Sequence, residues 1–211
     1  MFRKYLKNLV YVVSFWGAAV SMAVANPAAD QFRQFVEAFS AATGQFEQYT
    51  VTGQGQTTRA QSGSFAFERP GKFRWDVEQP YAQLVVSDGR SVFQYDPDLR
   101  QATVRPVDQS IGSSPAAILF GDVALDDAFN IEALPEQDGM EWLRAIPEQP
   151  DSGLNQVDIG MFEGKPARLL LRDSFGQTTR IDLSRIRAQS SFSSDTFEFS
   201  PPTGTDVVRV Q

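Results

Sequence analysis

The 211-residue chain contains no cysteine and no histidine. Without cysteine there is no disulfide, no thiolate nucleophile, no thiol metal site and no acceptor for an N-terminal lipid. Without histidine the Ser-His-Asp and Cys-His nucleophiles, His-ligated zinc and the commonest general base all drop out. Few enzyme classes survive both absences, so a non-catalytic protein with no cofactor and no metal site is expected. Basic residues are also scarce, 19 Lys and Arg against 26 Asp and Glu for a net charge of −7. That balance disfavours nucleic acid as a partner. The chain has one long apolar run, Leu9 to Val20, which is shorter than the ~20 residues a spanning helix needs.

The run belongs to a recognisable pattern. Arg3, Lys4 and Lys7 precede it with no acid among them, and Ala23-Val24-Ala25 follows it before Asn26-Pro27. A charged segment, an apolar segment and an A-x-A site read as a cleavable export signal over residues 1–25. Residues 26–211 then form a single domain with 16 basic against 26 acidic residues, once the three basic residues of the leader are removed from the total of 19. Its length suits one sizeable core, and a monomer is expected.

Within that domain the hydrophobic period is first helical. Asn26 and Pro27 are suitable at a helix start, and Phe32, Phe35, Val36 and Phe39 recur at i, i+3, i+4 and i+7. The spacing predicts an amphipathic helix of about four turns ending at Gly44. From there the period is two. Ser64 to Arg69 puts Phe65, Phe67 and Arg69 on one face. Past the Pro70-Gly71 turn, Phe73, Trp75 and Val77 alternate with charged residues. Asp88-Gly89 predicts a two-residue type I′ hairpin in which Leu84 faces Phe93 and Val86 faces Ser91. Asp96-Pro97-Asp98 turns the chain into Gln101 to Arg105. A short helix is expected over Pro115 to Phe120, with Ile118 and Leu119 as its apolar members, and a polar link over Asp122 to Asp127. Strand patterns then resume at Phe129 to Leu134, Met140 to Ile146, Gln156 to Phe162, Ala167 to Arg172, Thr178 to Ile186 and Thr196 to Phe199. The expected fold is mainly β with an α lid: one curved, unclosed antiparallel sheet, barrel-like, covered by short helices.

Seventeen phenylalanines and three tryptophans are many for this length, and several share strand faces. A curved sheet with so aromatic an inner face can enclose an apolar ligand rather than a filled core. The expected lining is Phe65, Phe67, Phe73, Trp75, Leu84, Val86, Phe93 and Tyr95. Arg69 breaks the apolar pattern of its face, and arginine is seldom buried unless paired. Pattern alone leaves two readings open, a guanidinium held inside for a purpose or one that snorkels to water at the strand end. Asp96, Asp98, Asp126, Asp127 and Asp173 sit in turn or helix-start contexts that select aspartate for its backbone hydrogen bonds rather than for acid–base work. Gly53-Gln54-Gly55 is a hairpin loop without the helix a phosphate cradle needs.

Phe67-Glu68-Arg69-Pro70-Gly71-Lys72-Phe73-Arg74-Trp75, Gln79-Pro80, Val86-Ser87-Asp88-Gly89, Tyr95-Asp96-Pro97 with Gln101-Ala102-Thr103, Ser114-Pro115 to Leu119, and Phe197-Glu198-Phe199-Ser200-Pro201-Pro202-Thr203-Gly204 occur in this order. Together they resemble the periplasmic outer-membrane lipoprotein carriers of the Lol pathway of Gram-negative bacteria. The resemblance implies an unclosed barrel of about eleven strands with a helical lid over a hydrophobic cavity. It also implies lipoprotein acyl chains as cargo, an inner-membrane ABC transporter as donor and an outer-membrane receptor as acceptor. Arg69 matches the family arginine that holds the lid shut through lid carbonyls. Phe32, Phe35, Val36, Phe39, Ile118 and Leu119 would then form the lid's apolar face. Among related functions, the pathway's receptor is anchored through a lipidated cysteine, which this chain lacks, and lipid-sensing envelope-stress regulators carry a second domain. A carboxylate-based periplasmic hydrolase is the alternative from another class.

Overall fold

The computed structural model describes residues 26–52, 54–58, 60–107, 115–120, 125–148 and 153–210. The leader, Gly53, Ser113-Ser114 and residues 121–124 lie outside them. Helix α1, Pro27–Ala38, opens the domain. Asn26 caps it, its Oδ1 accepting from the Ala29 N–H at 3.1 Å, and proline occupies the first turn. The helix has three turns rather than four, because Ala41–Val51 already forms strand β1 and pairs on both sides. Gly44 therefore lies within a strand. A Cβ there would stand 2.2 Å from the ring of Phe65, so the glycine admits an aromatic ring and does not end a helix.

Strands β2 (Gln61–Glu68), β3 (Lys72–Gln79), β4 (Gln83–Asp88), β5 (Ser91–Asp96) and β6 (Gln101–Pro106) follow as a meander. Helices α2 (Pro115–Phe120) and α3 (Leu125–Ala128) interrupt it. Strands β7 (Phe129–Gln137), β8 (Met140–Pro147), β9 (Leu154–Phe162), β10 (Lys165–Asp173), β11 (Thr178–Ala188) and β12 (Asp206–Arg209) complete the fold. One twelve-stranded sheet results, in the order β12-β6-β5-β4-β3-β2-β1-β11-β10-β9-β8-β7. It does not close, and its edges are β12 and β7.

The twelfth strand is unexpected. Residues 196–199, expected as a strand, form turn and irregular backbone instead, and the last strand is Asp206–Arg209, which pairs in parallel with β6. The hairpin after β4 also differs from expectation. Leu84 faces Tyr95 and Val86 faces Phe93, so the two loop residues are Gly89 and Arg90. Gly89 takes φ 89° at the first loop position, as in a type II′ turn, and Asp88 Oδ1 accepts the N–H groups of Arg90 and Ser91 at 2.8 Å each. The pairing slips by two residues, which preserves the side-chain faces.

One apolar core joins α1 and α2 to the inner positions of the strands, among them Phe46, Phe65, Phe67, Phe73, Trp75, Leu143, Ile159, Leu169 and Ile181. Helix α1 packs across β7 to β10, α2 against β3 and α3 against β7. Phe35 of α1 nevertheless meets Phe67 of β2, with ring centroids 6.2 Å apart. A helix seated over one half of the sheet can touch the other half only if the sheet curls around it. The helices thus fill the inside of a curved sheet, and the strands' outward positions face away from them.

Candidate functional site

The inner face is an aromatic floor. Phe46 stacks on Trp75 at 3.8 Å between centroids, and Phe65 lies 5.7 Å from Trp75. Phe67 and Phe73 are fully buried opposite each other on β2 and β3. The lid fits onto this floor ring by ring: Phe120 of α2 stacks on Phe67 at 4.4 Å and on Phe65 at 5.2 Å. Phe120 was not among the expected lid residues. Its signal was available in sequence, because it stands four residues after Ala116, and both are buried. The expected lid residues Phe32, Phe35, Ile118 and Leu119 are all buried in the core, and Val36 and Phe39 pack against it half-buried.

Half of the expected lining is elsewhere. Phe73 pairs with Ser87 and Trp75 with Val85, whereas Arg74 pairs with Val86 and Asp76 with Leu84. Leu84, Val86, Phe93 and Tyr95 therefore share the outer face with the charged residues of β3, and the inner positions of β4 and β5 are Val85, Ser87 and Val92. The greasier side of this hairpin is outside because the C-terminal segment covers it. Phe199 lies 5.7 Å from Phe93 and 5.2 Å from Tyr95, and Arg74 Nη1 donates to the Thr196 carbonyl at 3.5 Å. Hairpin alternation shows which residues share a face but not which face a distant segment will cover.

Arg69 sits where β2 turns into β3. Its backbone N–H donates to the Ser40 carbonyl at 2.8 Å, fixing the turn to the end of α1. Its Nη2 donates to the Leu119 carbonyl of α2 at 3.1 Å. The guanidinium carbon lies 5.0 Å from the Phe67 ring centroid, in cation–π range. No carboxylate pairs with it among the described residues, and its buried Nε has no hydrogen-bond partner among them. Burial without a counter-charge pushes its pKa down to about 10. The contact has a purpose for α2, since the carbonyls of a helix's last turn lack intrahelical partners and Leu119 lies in that turn. A cation at its last turn satisfies one of them and suits the helix dipole.

Two of the aspartates singled out in sequence serve turns. Asp96 Oδ1 accepts the Leu99 N–H at 3.0 Å, and Asp173 Oδ1 accepts those of Phe175 and Gln177 at 2.9 Å each. The Asp98 and Asp127 side chains are exposed, and no group of three or more potential metal ligands exists among the described residues. On the outer face a cleft of about 520 Å³ lies beside Trp142. Its arginines are tied up in ion pairs, Arg144 with Asp158 at 2.7 Å, Arg168 with Asp182 at 2.6 Å and Arg180 with Asp182 at 2.8 Å.

The chain is similar to known proteins in sequence and in fold. The family described as outer membrane lipoprotein carrier protein LolA matches residues 37–200. The chain is 52% identical to an outer-membrane lipoprotein carrier protein of Bordetella avium over 98% of this chain and 99% of that protein. It is 55% identical to one of Bordetella pertussis over 91% of each. Among solved structures, an uncharacterized conserved protein of Thermus thermophilus aligns with a TM-score of 0.54 at 11% identity, over 86% of this chain and 99% of that one. A LolA superfamily protein of Nitrosomonas europaea aligns at 0.51 and 10% identity, over 82% and 97%. These two likenesses concern the fold. The family match and the near full-length identities go further: the chain belongs to the outer membrane lipoprotein carrier family.

Proposed function

We propose that this carrier works in the periplasm, exported by the signal at residues 1–25. It takes lipoprotein acyl chains from an inner-membrane ABC transporter and hands them to an outer-membrane receptor, without catalysing any reaction. Exposing an acyl chain to water costs about 0.8 kcal/mol per CH₂, so a lipid anchor does not cross an aqueous compartment unshielded. The floor of Phe46, Phe65, Phe67, Phe73 and Trp75 is the surface offered to those chains. Phe120, Ile118, Leu119, Phe32 and Phe35 occupy it when no cargo is present.

The observation that carries this reading is the Arg69 hydrogen bond to the Leu119 carbonyl. It supports a latch that is strong enough to keep an empty apolar floor covered and weak enough to yield. Because the guanidinium is desolvated without a carboxylate, closure gains less than the hydrogen bond alone would give. Lid side chains and acyl chains then compete for one surface, which keeps cargo affinity moderate and release feasible. The purified protein, incubated with lipoprotein-loaded spheroplasts, is expected to bring lipoprotein into the soluble fraction as a complex. Lipoprotein that stays with the spheroplasts at every carrier concentration would sink this reading.

A further inference from the structure

We propose that the inner face carries a second, polar subsite that takes the uncharged linkage of the cargo, the ester and amide groups joining acyl chains to polypeptide. This rests on the carrier reading and adds to it a place for the part of the cargo that is not hydrocarbon. The observation is a change of chemistry at one level of the sheet. Along β1 the inner positions run Ala42, Gly44, Phe46 and then Gln48 and Thr50; along β2, from the same end, Phe67, Phe65, Gly63 and then Gln61; along β11, Leu183, Ile181 and then Thr179. Three adjacent strands turn from apolar to polar together.

The polar groups there are neutral and only partly satisfied. Gln48 Nε2 donates to Gln61 Oε1 at 2.6 Å. Whichever way the two amides are oriented, that pair keeps one further acceptor oxygen and one further donor NH₂ for a ligand. Thr50 and Thr179 share a hydroxyl hydrogen bond at 3.0 Å. Gln48, Tyr49, Thr50, Thr58, Gln61, Pro80 and Tyr81 line a pocket of about 350 Å³, with Tyr81 63% exposed on the β3–β4 turn. Neutral donors and acceptors beside an aromatic ring fit esters and peptide groups, and they offer an anion no charge to pair with.

Position supports the same assignment. Helix α1 covers β7 to β10 and α2 lies against β3, so the seam between the two lid helices runs above β2, β1 and β11. At one end of that seam Phe35, Phe67, Phe120 and the Arg69 latch close it. The pocket lies at the other end, next to the Phe46–Trp75 stack. Acyl chains laid along the floor from this side would leave their polar linkage level with Gln48 and Gln61.

The test compares the mature protein with Gln48→Leu/Gln61→Leu and with Tyr81→Ala, by titration with two probes: a synthetic triacylated lipopeptide and free palmitate. Two lost polar contacts predict lipopeptide binding weakened about tenfold in the double variant, and by about threefold in Tyr81→Ala. Palmitate binding stays within about twofold, since hydrocarbon is held by the floor. Tyr81→Ala alters an exposed turn residue and keeps the test valid should the double variant fold poorly. Equal loss for both probes, or unchanged lipopeptide binding, overturns the subsite and leaves the carrier reading standing. Wild-type protein that binds neither probe overturns both.

Discussion

At the scale of single residues, Arg69 has two opposed effects on the closed lid. Its donor satisfies the Leu119 carbonyl, and leaving a buried carbonyl unpaired costs about 1–3 kcal/mol. Its own desolvation, visible in the lowered pKa, works the other way. Arg69 is only half-buried, which reduces the second effect, so the hydrogen bond wins and Arg69→Leu favours the open lid. Cargo should then be held about tenfold more tightly and handed on correspondingly more slowly, with a thermal unfolding midpoint close to wild type. Handover at the normal rate would remove Arg69 as a latch. Gly44 is the other informative residue. Gly44→Ala pushes a methyl group into the Phe65 ring and should cost about 1–3 kcal/mol, read as a lower urea midpoint with an unchanged m-value.

At the scale of elements, the β4–β5 hairpin separates what sequence shows from what it does not. The alternation of Leu84 and Val86 with Val85 and Ser87 is legible, as are the strands, the turns and the helical period of α1. Which side faces inward is decided by partners outside the hairpin: Trp75 of the preceding strand pairs with Val85, and Phe199, from near the C-terminal end, folds back over Phe93 and Tyr95. Local pattern carries no trace of either. The end of α1 is a similar case. Ala41 to Gly44 could continue a helix, but β2 and β11 pair with them from both sides, and tertiary hydrogen bonding overrides local preference. The face assignment predicts that Phe199→Ala removes the cover from Phe93 and Tyr95 and costs about 1–2 kcal/mol in chemical denaturation. The same variant should leave acyl-chain binding unchanged. A loss of binding that exceeds the loss of folded protein would place this hairpin face back among the cargo contacts.

At the scale of the whole molecule, the sheet curls far enough for one helix to reach both halves yet keeps two free edges, β12 and β7. A closed barrel of fixed circumference would set its interior volume once. An unclosed one, filled by short helices that pack on its inner face and of which α2 also takes the Arg69 hydrogen bond, has no fixed circumference to set that volume. The aromatic residues that made the sequence unusual are divided between two packed layers: Phe46, Phe65, Phe67, Phe73 and Trp75 form the floor, and Phe32, Phe35 and Phe120 cover it.

Cargo binding is expected to replace those covering side chains with acyl chains on the inner face. Trp75 is the natural reporter, stacked on Phe46 in the floor, while Trp142 lines the outer cleft. In the mature protein carrying Trp142→Phe, Trp75 is the remaining tryptophan, and a lipopeptide with brominated acyl chains reports direct contact through quenching of its fluorescence. Strong quenching that saturates with binding, and that excess unbrominated lipopeptide reverses, is the predicted result. Full binding with Trp75 fluorescence unquenched would place the acyl chains away from this floor.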